Sequence, residues 1–415
     1  MNESALYPRY IQNQLHEALA DSPVVLIHGP RQCGKSTLAR KIGEQAGYVY
    51  HTFDDDVLRA AASADPVRFI GDLGDQVILD EVQRVPELFT SLKAAVDRQR
   101  TSGRFILTGS VNVLLVPMLA DSLAGRMEIL RLHPLAQAEL AGVRGDFPAK
   151  LFKGEFKIAS HQRLGHELAE RIVAGGYPAA LARSTPRRRA VWYRDYIETL
   201  VQRDVRQLAR ISQLDALPRL LTLAAGQTAR MLNTSDLASP FQVSRPTIRD
   251  YLTLLGNVFL LEELQPWHSN RLSRLIKTPK LHLGDSGVAC ALLGISAETL
   301  MADRQLMGQM LETFIYQEIR RQAGWHESPV ELYHFRDKDG VEVDIVLESE
   351  GRYLAGIEVK AAATVTAADF RGLKKLRDAT TERFSAGVVL YDGEVTASFG
   401  DRLFAVPIRT LWEAP

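Results

Sequence analysis

The sequence predicts an α/β protein: a parallel sheet core, then a helical stretch, a compact helix-turn-helix segment, and a second α/β region. Three observations carry this prediction. Residues 24 to 135 alternate short, unbroken apolar runs with helix-length amphipathic stretches, the pattern of a parallel sheet covered on both faces. A glycine-rich loop joins the first of these runs to the helix that follows it. Beyond about residue 305 one helix precedes three closely spaced strands, then a further helix and strand.

With 415 residues, the chain is too long for one ordinary core and should divide into roughly two to four domains. The hydrophobic fraction of 46% and charged fraction of 24% exclude wholesale disorder. Lys and Arg total 50 and Asp and Glu total 50, so the overall balance indicates no polyanionic partner. A nucleic-acid surface would have to arise from local segregation of charge. Having only Cys33 and Cys290 excludes a disulfide framework and a Cys-rich zinc site, and fits a reducing cytosol. The first residues lack a basic stretch followed by an apolar run. The apolar run VNVLLVPMLA ends at Asp121, short of the roughly 18 residues a bilayer requires. The expectation is a soluble, cytoplasmic protein.

The apolar runs VVLIH, YVYHTF, QVILDE, RFILTGS and MEILRL read as strands. Residues 136–225 read as helical, with a long segment from Val191 to Ile211. Over 226–300, a helix around Ser235 to Ala238 precedes the turn SPFQVS. A second helix follows, capped by Ser244, with Pro246 in its first turn. From 301 to 415 the helix MGQMLETFIYQEIRRQAG leads into strands VELYHF, VEVDIVLE and YLAGIEVK, helix DFRGLKKLRD and strand AGVVLY.

Gly29-Pro30-Arg31-Gln32-Cys33-Gly34-Lys35-Ser36 matches G-x-x-x-x-G-K-[ST], between a strand and a helix that begins with Thr37. Such a loop lets backbone N–H groups converge on phosphate oxygens at a helix N-terminus. Lys35 suits the β- and γ-phosphates and Ser36 suits Mg²⁺, while Cys33 reads as filler. The strand ending in Asp80-Glu81 delivers Asp80 for the metal and Glu81 for orienting and deprotonating water, which favours hydrolysis over transfer. Thr108, Ser110 or Asn112 could touch the γ-phosphate or the water, or simply cap a turn. Arg126, just before MEILRL, could point into a neighbouring subunit's nucleotide or be an ordinary surface arginine.

In their order, GPRQCGKSTL, DE, LTGS, SLAGR, HPL…AEL and GGYPAAL resemble the AAA-type ATPases of bacteria and archaea that carry a C-terminal region of unassigned function. The resemblance covers nearly the whole chain. It implies a P-loop AAA core over 1–135 that uses ATP and Mg²⁺, with Arg126 at the arginine-finger position. It also implies a helical lid over 136–225, with Gly176 and Pro178 near the adenine, and a winged helix over 226–300. Read from residues alone, Gly175-Gly176-Tyr177-Pro178 is a helix break.

Between Arg183 and Arg210 eight arginines face three acids, with Trp192, Tyr193 and Tyr196 interleaved. Such a stretch could follow a phosphate backbone with aromatics available for stacking, or form a solvated helix with intrahelical ion pairs and buried aromatics. Arg245, Thr247 and Arg249 would face outward from the second helix of the helix-turn-helix segment, for DNA contact or in a packing module.

In VEVDIV, alternation places Glu342 and Asp344 on one face and the valines and Ile345 on the other, and in IEVK it pairs Glu358 with Lys360. A hairpin through SEGR would set the two strands side by side. Asp344 and Glu358 could then hold Mg²⁺, Lys360 could steady a water, and Glu312 or Glu318 could add a ligand from the preceding helix. This order resembles the restriction-endonuclease-like fold over 301–415, whose catalytic Asp, Glu and Lys fall on Asp344, Glu358 and Lys360. The leading expectation is an oligomeric Mg²⁺-dependent ATPase acting on DNA, with the C-terminal region binding or cutting it. The alternative is a nucleotide-gated signalling or defence switch with a protein partner and an inactive nuclease-like domain.

Overall fold

The computed structural model describes residues 6–110, 123–205, 216–241, 243–270, 272, 274 and 277–413. VNVLLVPMLA, Asn112, Arg206 and Arg210 lie outside the described residues. The chain forms two compact units. One holds residues 9–134 with 257–259, and the other holds 135–256 and 260–415 with 1–8. The break between the two units falls after Pro134. The expected breaks at 225 and 300 fall inside the second unit. Among the described residues no helix is long and apolar enough to cross a membrane.

In the first unit, strands β1 (Val24–His28), β2 (Val49–Thr52), β3 (Val77–Asp80), β4 (Phe105–Gly109) and β5 (Met127–Arg131) form a sheet in the order β2-β3-β4-β1-β5. Every pairing is parallel. Alternate residues serve opposite faces. Val24, Leu26, Val77, Leu79, Phe105 and Leu107 pack with Leu88, Phe89 and Leu92 of helix α5 (Leu88–Arg98). Val25, Ile27, Ile78 and Ile106 pack with Leu15 of α1 (Gln12–Asp21) and Leu38 and Ile42 of α2 (Lys35–Ala46). The central runs are unbroken because both faces are dry. β2 is an edge strand, which is why Val49 is exposed despite its apolar run.

The second unit carries a three-stranded sheet of β7 (Arg230–Met231), β8 (Leu261–Leu264) and β9 (Lys280–Leu283), ordered β7-β9-β8. Helices Thr234–Ala238 and Arg245–Asn257 lie between β7 and β8 in the chain. Asn233 caps the first by accepting N–H bonds from Ser235 and Asp236, and the Ser244 hydroxyl caps the second through the Thr247 N–H at 3.2 Å. The expected long helix is Pro186–Thr199, started by the Thr185 cap and Pro186, and it continues as a π-helical turn over Leu200–Val205.

Strands β10 (Val330–Arg336), β11 (Glu342–Ser349), β12 (Tyr353–Lys360), β13 (Phe384–Tyr391), β14 (Val395–Ser398), β15 (Leu403–Pro407) and β6 (Ala159–Ser160) form a seven-stranded mixed sheet, ordered β10-β11-β12-β13-β15-β14-β6. β6 comes from the stretch read as helical. Two residues paired to β14 at a separation of more than 230 positions leave no local signal. On one face, Phe370, Leu373 and Leu376 beside and within helix Arg371–Thr380 pack on Val343, Val346, Leu354 and Val389. Gly372 permits this approach, since a Cβ there would lie 1.9 Å from the Glu342 carbonyl oxygen.

Candidate functional site

The first unit builds a phosphate loop at the C-terminal end of β1. A Cβ on Gly29 would sit 2.0 Å from the Leu132 carbonyl oxygen, so only glycine fits. Positive φ at Gln32 (60°) and Gly34 (103°) curls the loop before α2 begins. Lys35 is buried, its Nζ donating to the Pro30 carbonyl at 2.8 Å. Cys33 is buried too, and its carbonyl accepts from Arg9 at 2.6 Å. The filler reading of Cys33 is therefore incomplete, because its backbone anchors the loop.

Ser36 Oγ donates to Asp80 Oδ1 at 2.8 Å, so two hard oxygens from the loop and β3 meet, a donor set that fits Mg²⁺. Tyr50 donates to Asp80 Oδ2 at 2.7 Å, and Thr108 donates to Oδ1. Burial and the Asp80 carboxylate push the Tyr50 phenol well above its ordinary range, so it remains a donor. Glu81 stands at φ 60°, ψ 44°, a left-handed conformation costing a glutamate about 1–3 kcal/mol. The Glu81 N–H donates to Thr108 Oγ1 at 3.2 Å, and Oε2 accepts from Ser110 at 2.9 Å and from Gln83. Thr108 and Ser110, read as contacts to phosphate or water or as turn caps, bond to the two acids. Tyr50 and Gln83 were not singled out in the sequence; nothing local ties Tyr50 to Asp80, whereas Gln83 lies only two residues beyond Glu81.

Arg126 does not approach this loop. β5 runs parallel to β1 with Met127 level with Val24, so Arg126 lies at the N-terminal ends of the strands and the loop leaves the C-terminal end. Its guanidinium is bound by Asp97 in two contacts, of 2.6 and 3.1 Å. Any nucleotide it touched would belong to another copy of the chain.

In the second unit the GGYP segment lies in a buried polar network. The Gly176 N–H donates to Asp285 at 2.9 Å, and Arg321 binds Asp285 at 2.9 Å, Glu318 at 2.8 Å and the Leu135 carbonyl at 2.8 Å. A Cβ on Gly175 would lie 2.1 Å from Asp285 Oδ1. The glycines here have a packing reason of their own, and half-buried Pro178 opens the short helix Pro178–Leu181. Glu318 also accepts the Gln137 N–H at 2.8 Å, and burial pushes its carboxyl up to about 7 against the pull of Arg321. Committed to this network, Glu318 is not the helical partner of Asp344.

Tyr193 and Tyr196 are buried with Tyr177, and half-buried Trp192 stacks on Tyr196 with centroids 5.0 Å apart. They form an internal cluster, so the expectation of aromatics free to stack on bases is overturned. Arg183, Arg187, Arg188, Arg194 and Arg203 are exposed, and none makes a side-chain bond or ion pair with a described residue. The expected intrahelical pairs are absent there too.

In the mixed sheet, Ile345 pairs with Ile357, which puts Asp344 opposite Glu358 on adjacent strands as the hairpin reading requires. Strict alternation fails beside it. Tyr333 pairs with Val346 but Phe335 with Val343, so Asp344 and Ile345 together face His334 in a bulge. Val343 and Val346 therefore share one core face. Glu312 is the helical acid that arrives, yet both it and Asp344 are bound by Lys280 of β9, at 2.8 and 3.0 Å. Lys280 is buried. Burial opposes its charge, but Asp344 and Glu312 outweigh that and raise its pKa. Burial, then Asp344, pushes Glu312 and Glu358 above the usual carboxylate range. Lys360 turns away to Asp369, which the Thr366 turn holds in place. Among the described residues no group of three His, Cys, Asp or Glu is arranged to hold a metal. The expected Asp344–Glu358–Lys360 convergence, with Glu312 and Mg²⁺, is corrected accordingly. The Mg²⁺ set does not fit here, because a lysine from a different sheet fills the gap between the acids. Sequence spacing gave no sign of Lys280.

Beside this cluster His334 is 1% exposed, its Nε2 lying 3.2 Å from the Thr278 carbonyl. Burial, with Lys280 adding, lowers it to about 4. The neutral ring is the folded form, so its contribution is full above an unfolded pKa near 6.5 and fades as pH falls toward about 4. That difference is on the order of 3 kcal/mol. Thermal melts between pH 7 and 4.5 should show stability falling with acid, less steeply in His334→Gln. An unchanged slope in the variant would dismiss this role.

Comparison with known proteins gives three family models. Residues 21–141 match an AAA domain, residues 165–299 match a domain of unknown function (DUF8612), and residues 307–411 match another (DUF4143). Uncharacterized proteins of Mycobacterium bovis and Mycobacterium tuberculosis are each 29% identical over 397 residues, 95% of this chain and 82% of theirs. Among solved structures, a Walker-type ATPase of Pyrococcus abyssi is 16% identical with TM-score 0.41, covering 70% of this chain and 97% of its own. The RuvB Holliday junction branch migration motor of Thermotoga maritima is 18% identical with TM-score 0.28, covering 61% and 88%. Both scores are too low to carry a conclusion about this chain. Residues 21–141 are thus similar to an AAA domain, and the phosphate loop with the two acids beyond it supports a P-loop of the AAA-type ATPases there.

Proposed function

We propose that the chain is a Mg²⁺-dependent ATPase that works as a homo-oligomer and acts on DNA. The observation that carries the hydrolytic part is Glu81, held in a strained backbone conformation by Thr108, Ser110 and Gln83 next to Asp80. Strain kept at one carboxylate beside a metal-binding pair suits a residue that must aim at water. Ser36 and Asp80 would hold Mg²⁺, which would neutralise phosphate charge. Backbone N–H groups of Gly29 to Thr37 and Lys35 would bind the phosphates. In an oligomer Arg126 would exchange Asp97 for a neighbour's nucleotide.

The DNA reading is supported by the exposed arginines of helix Pro186–Thr199 and its flanks, which pair with no described residue. With Trp192, Tyr193 and Tyr196 turned inward, contact would be to phosphates and largely indifferent to sequence. The β7-β9-β8 sheet with its two helices supports a winged helix that exposes Arg245. Arg249 is paired with Glu263 at 2.7 Å and would have to release it. The order helix, β10, β11, β12, helix, β13 supports a restriction-endonuclease-like scaffold used to bind rather than cut.

ATP turnover should rise with duplex, single-stranded or four-way DNA. Replacing both Arg187 and Arg194 with Ala should reduce the slope of log affinity against log salt by about 1–2. Turnover indifferent to all three DNAs removes this reading. Assembly on ATP binding in that case would favour the nucleotide-gated switch with a protein partner.

A further inference from the structure

The mixed sheet, the long helix Arg304–Ala323 and β9 bring four charged side chains together that no family model or relative explains. Asp344 comes from β11, Glu358 from β12, Glu312 from the helix, and Lys280 from the small three-stranded sheet. The Lys280 side chain is 3% exposed, with Glu312 Oε1 at 2.8 Å, Asp344 Oδ1 at 3.0 Å and Glu342 Oε2 further off at 3.8 Å. Asp344 uses its other oxygen to accept the Val359 N–H at 3.0 Å. Glu358 Oε2 is buried and has no hydrogen-bond partner.

We propose that the Lys280 ammonium takes the place of a divalent cation between Glu312 and Asp344, so that the C-terminal region of this chain holds no metal. The chemistry of the site favours this. An ammonium is a compact cation with three donors, and at 2.8 and 3.0 Å from two carboxylates it makes two charge-assisted hydrogen bonds. A magnesium ion needs near-octahedral oxygen at roughly 2.0–2.1 Å, and it would have to share the space between the acids with that ammonium. Like charges so close in a poorly screened interior exclude one another. The other lysine of the strand pair, Lys360, is held by Asp369 and is not free to replace Lys280.

The cluster also joins elements within one compact unit, which holds residues 135–256 and 260–415. Lys280 ties β9 to both the long helix and β11, doing by charge what a shared metal would do. This inference rests on the cluster's geometry and does not depend on the DNA reading of the chain.

Titration of Mn²⁺ into the full-length chain without nucleotide, read by calorimetry and by the EPR signal of free Mn²⁺, tests it. The wild-type chain should show no site tighter than about millimolar, with Ser36→Ala as the control for the phosphate loop. Lys280→Met, which keeps the stem and removes the charge, should gain about one Mn²⁺ per chain. The gain should vanish when Asp344→Asn is added. A wild-type site that survives Ser36→Ala overturns the proposal, as does a folded Lys280→Met chain that gains none. Should Lys280→Met fail to fold, the wild-type titration decides alone, since it needs no variant of the cluster. DNA stimulation of turnover is measured separately, so failure here leaves that reading standing.

Discussion

Lys35→Ala is expected to abolish nucleotide binding and turnover together, while Glu81→Gln should keep binding and lower turnover by about 10²–10⁴-fold. The two effects separate because the residues act on different parts of the reaction. Lys35 is the buried cation at the end of the curled loop, with its Nζ on the Pro30 carbonyl at 2.8 Å. Triphosphate would draw the Nζ from that carbonyl to the β- and γ-oxygens, and without the ammonium the loop holds uncompensated phosphate charge. Glu81 is exposed to the reaction only through its carboxylate. Glutamine preserves its size and, through its amide oxygen, can keep the contact that Ser110 makes with Glu81 Oε2, but it cannot take a proton from water. Calorimetric titration with ATP and Mg²⁺, paired with phosphate release, reads both. Equal turnover in Glu81→Gln and wild type would remove Glu81 from the chemistry.

Arg321→Met should destabilise the second unit by about 3–5 kcal/mol, the cost of leaving buried carboxylates without their cation. Arg321 is 3% exposed and lies between Asp285 and Glu318, both with side chains fully buried. It also donates to the Leu135 carbonyl at 2.8 Å. Methionine matches the stem and supplies none of these bonds. Scanning calorimetry should show the transition of that unit falling by roughly 10 °C. Lysine should recover only part of the loss, since one ammonium cannot reproduce the forked contact with two acids and a carbonyl. A melting point within a degree or two of wild type in Arg321→Met would show that the network does not hold this unit together.

The parts of the site most legible in the sequence are local. The loop from Gly29 to Ser36 is contiguous, its glycines are required by backbone geometry, and its strand and helix are signalled by patterning. Asp80 and Glu81 ended an apolar run and could be placed at a strand end without knowing the sheet order. The hairpin facing Asp344 with Glu358 was legible for the same reason, a short turn between two alternating runs. What was misread involved partners far along the chain. Thr108 and Ser110 gave no local sign of their bonds to Asp80 and Glu81, which cross between neighbouring strands. The aromatics of the arginine helix looked free because Tyr177, which buries them, sits one helix earlier.

The sequence by itself determined the nucleotide-binding chemistry and the two-sided parallel sheet that presents it, because both follow from residue type and spacing over a few dozen positions. Only the tertiary structure decided what occupies the C-terminal carboxylate cluster, which glutamate joins it and which end of the sheet Arg126 occupies. Asp344 and Glu358 are 14 residues apart and could be paired by a hairpin, but Lys280 lies 64 residues from Asp344. Only the packing of a separate small sheet against the long helix brings its charge there, and no local periodicity encodes such a meeting.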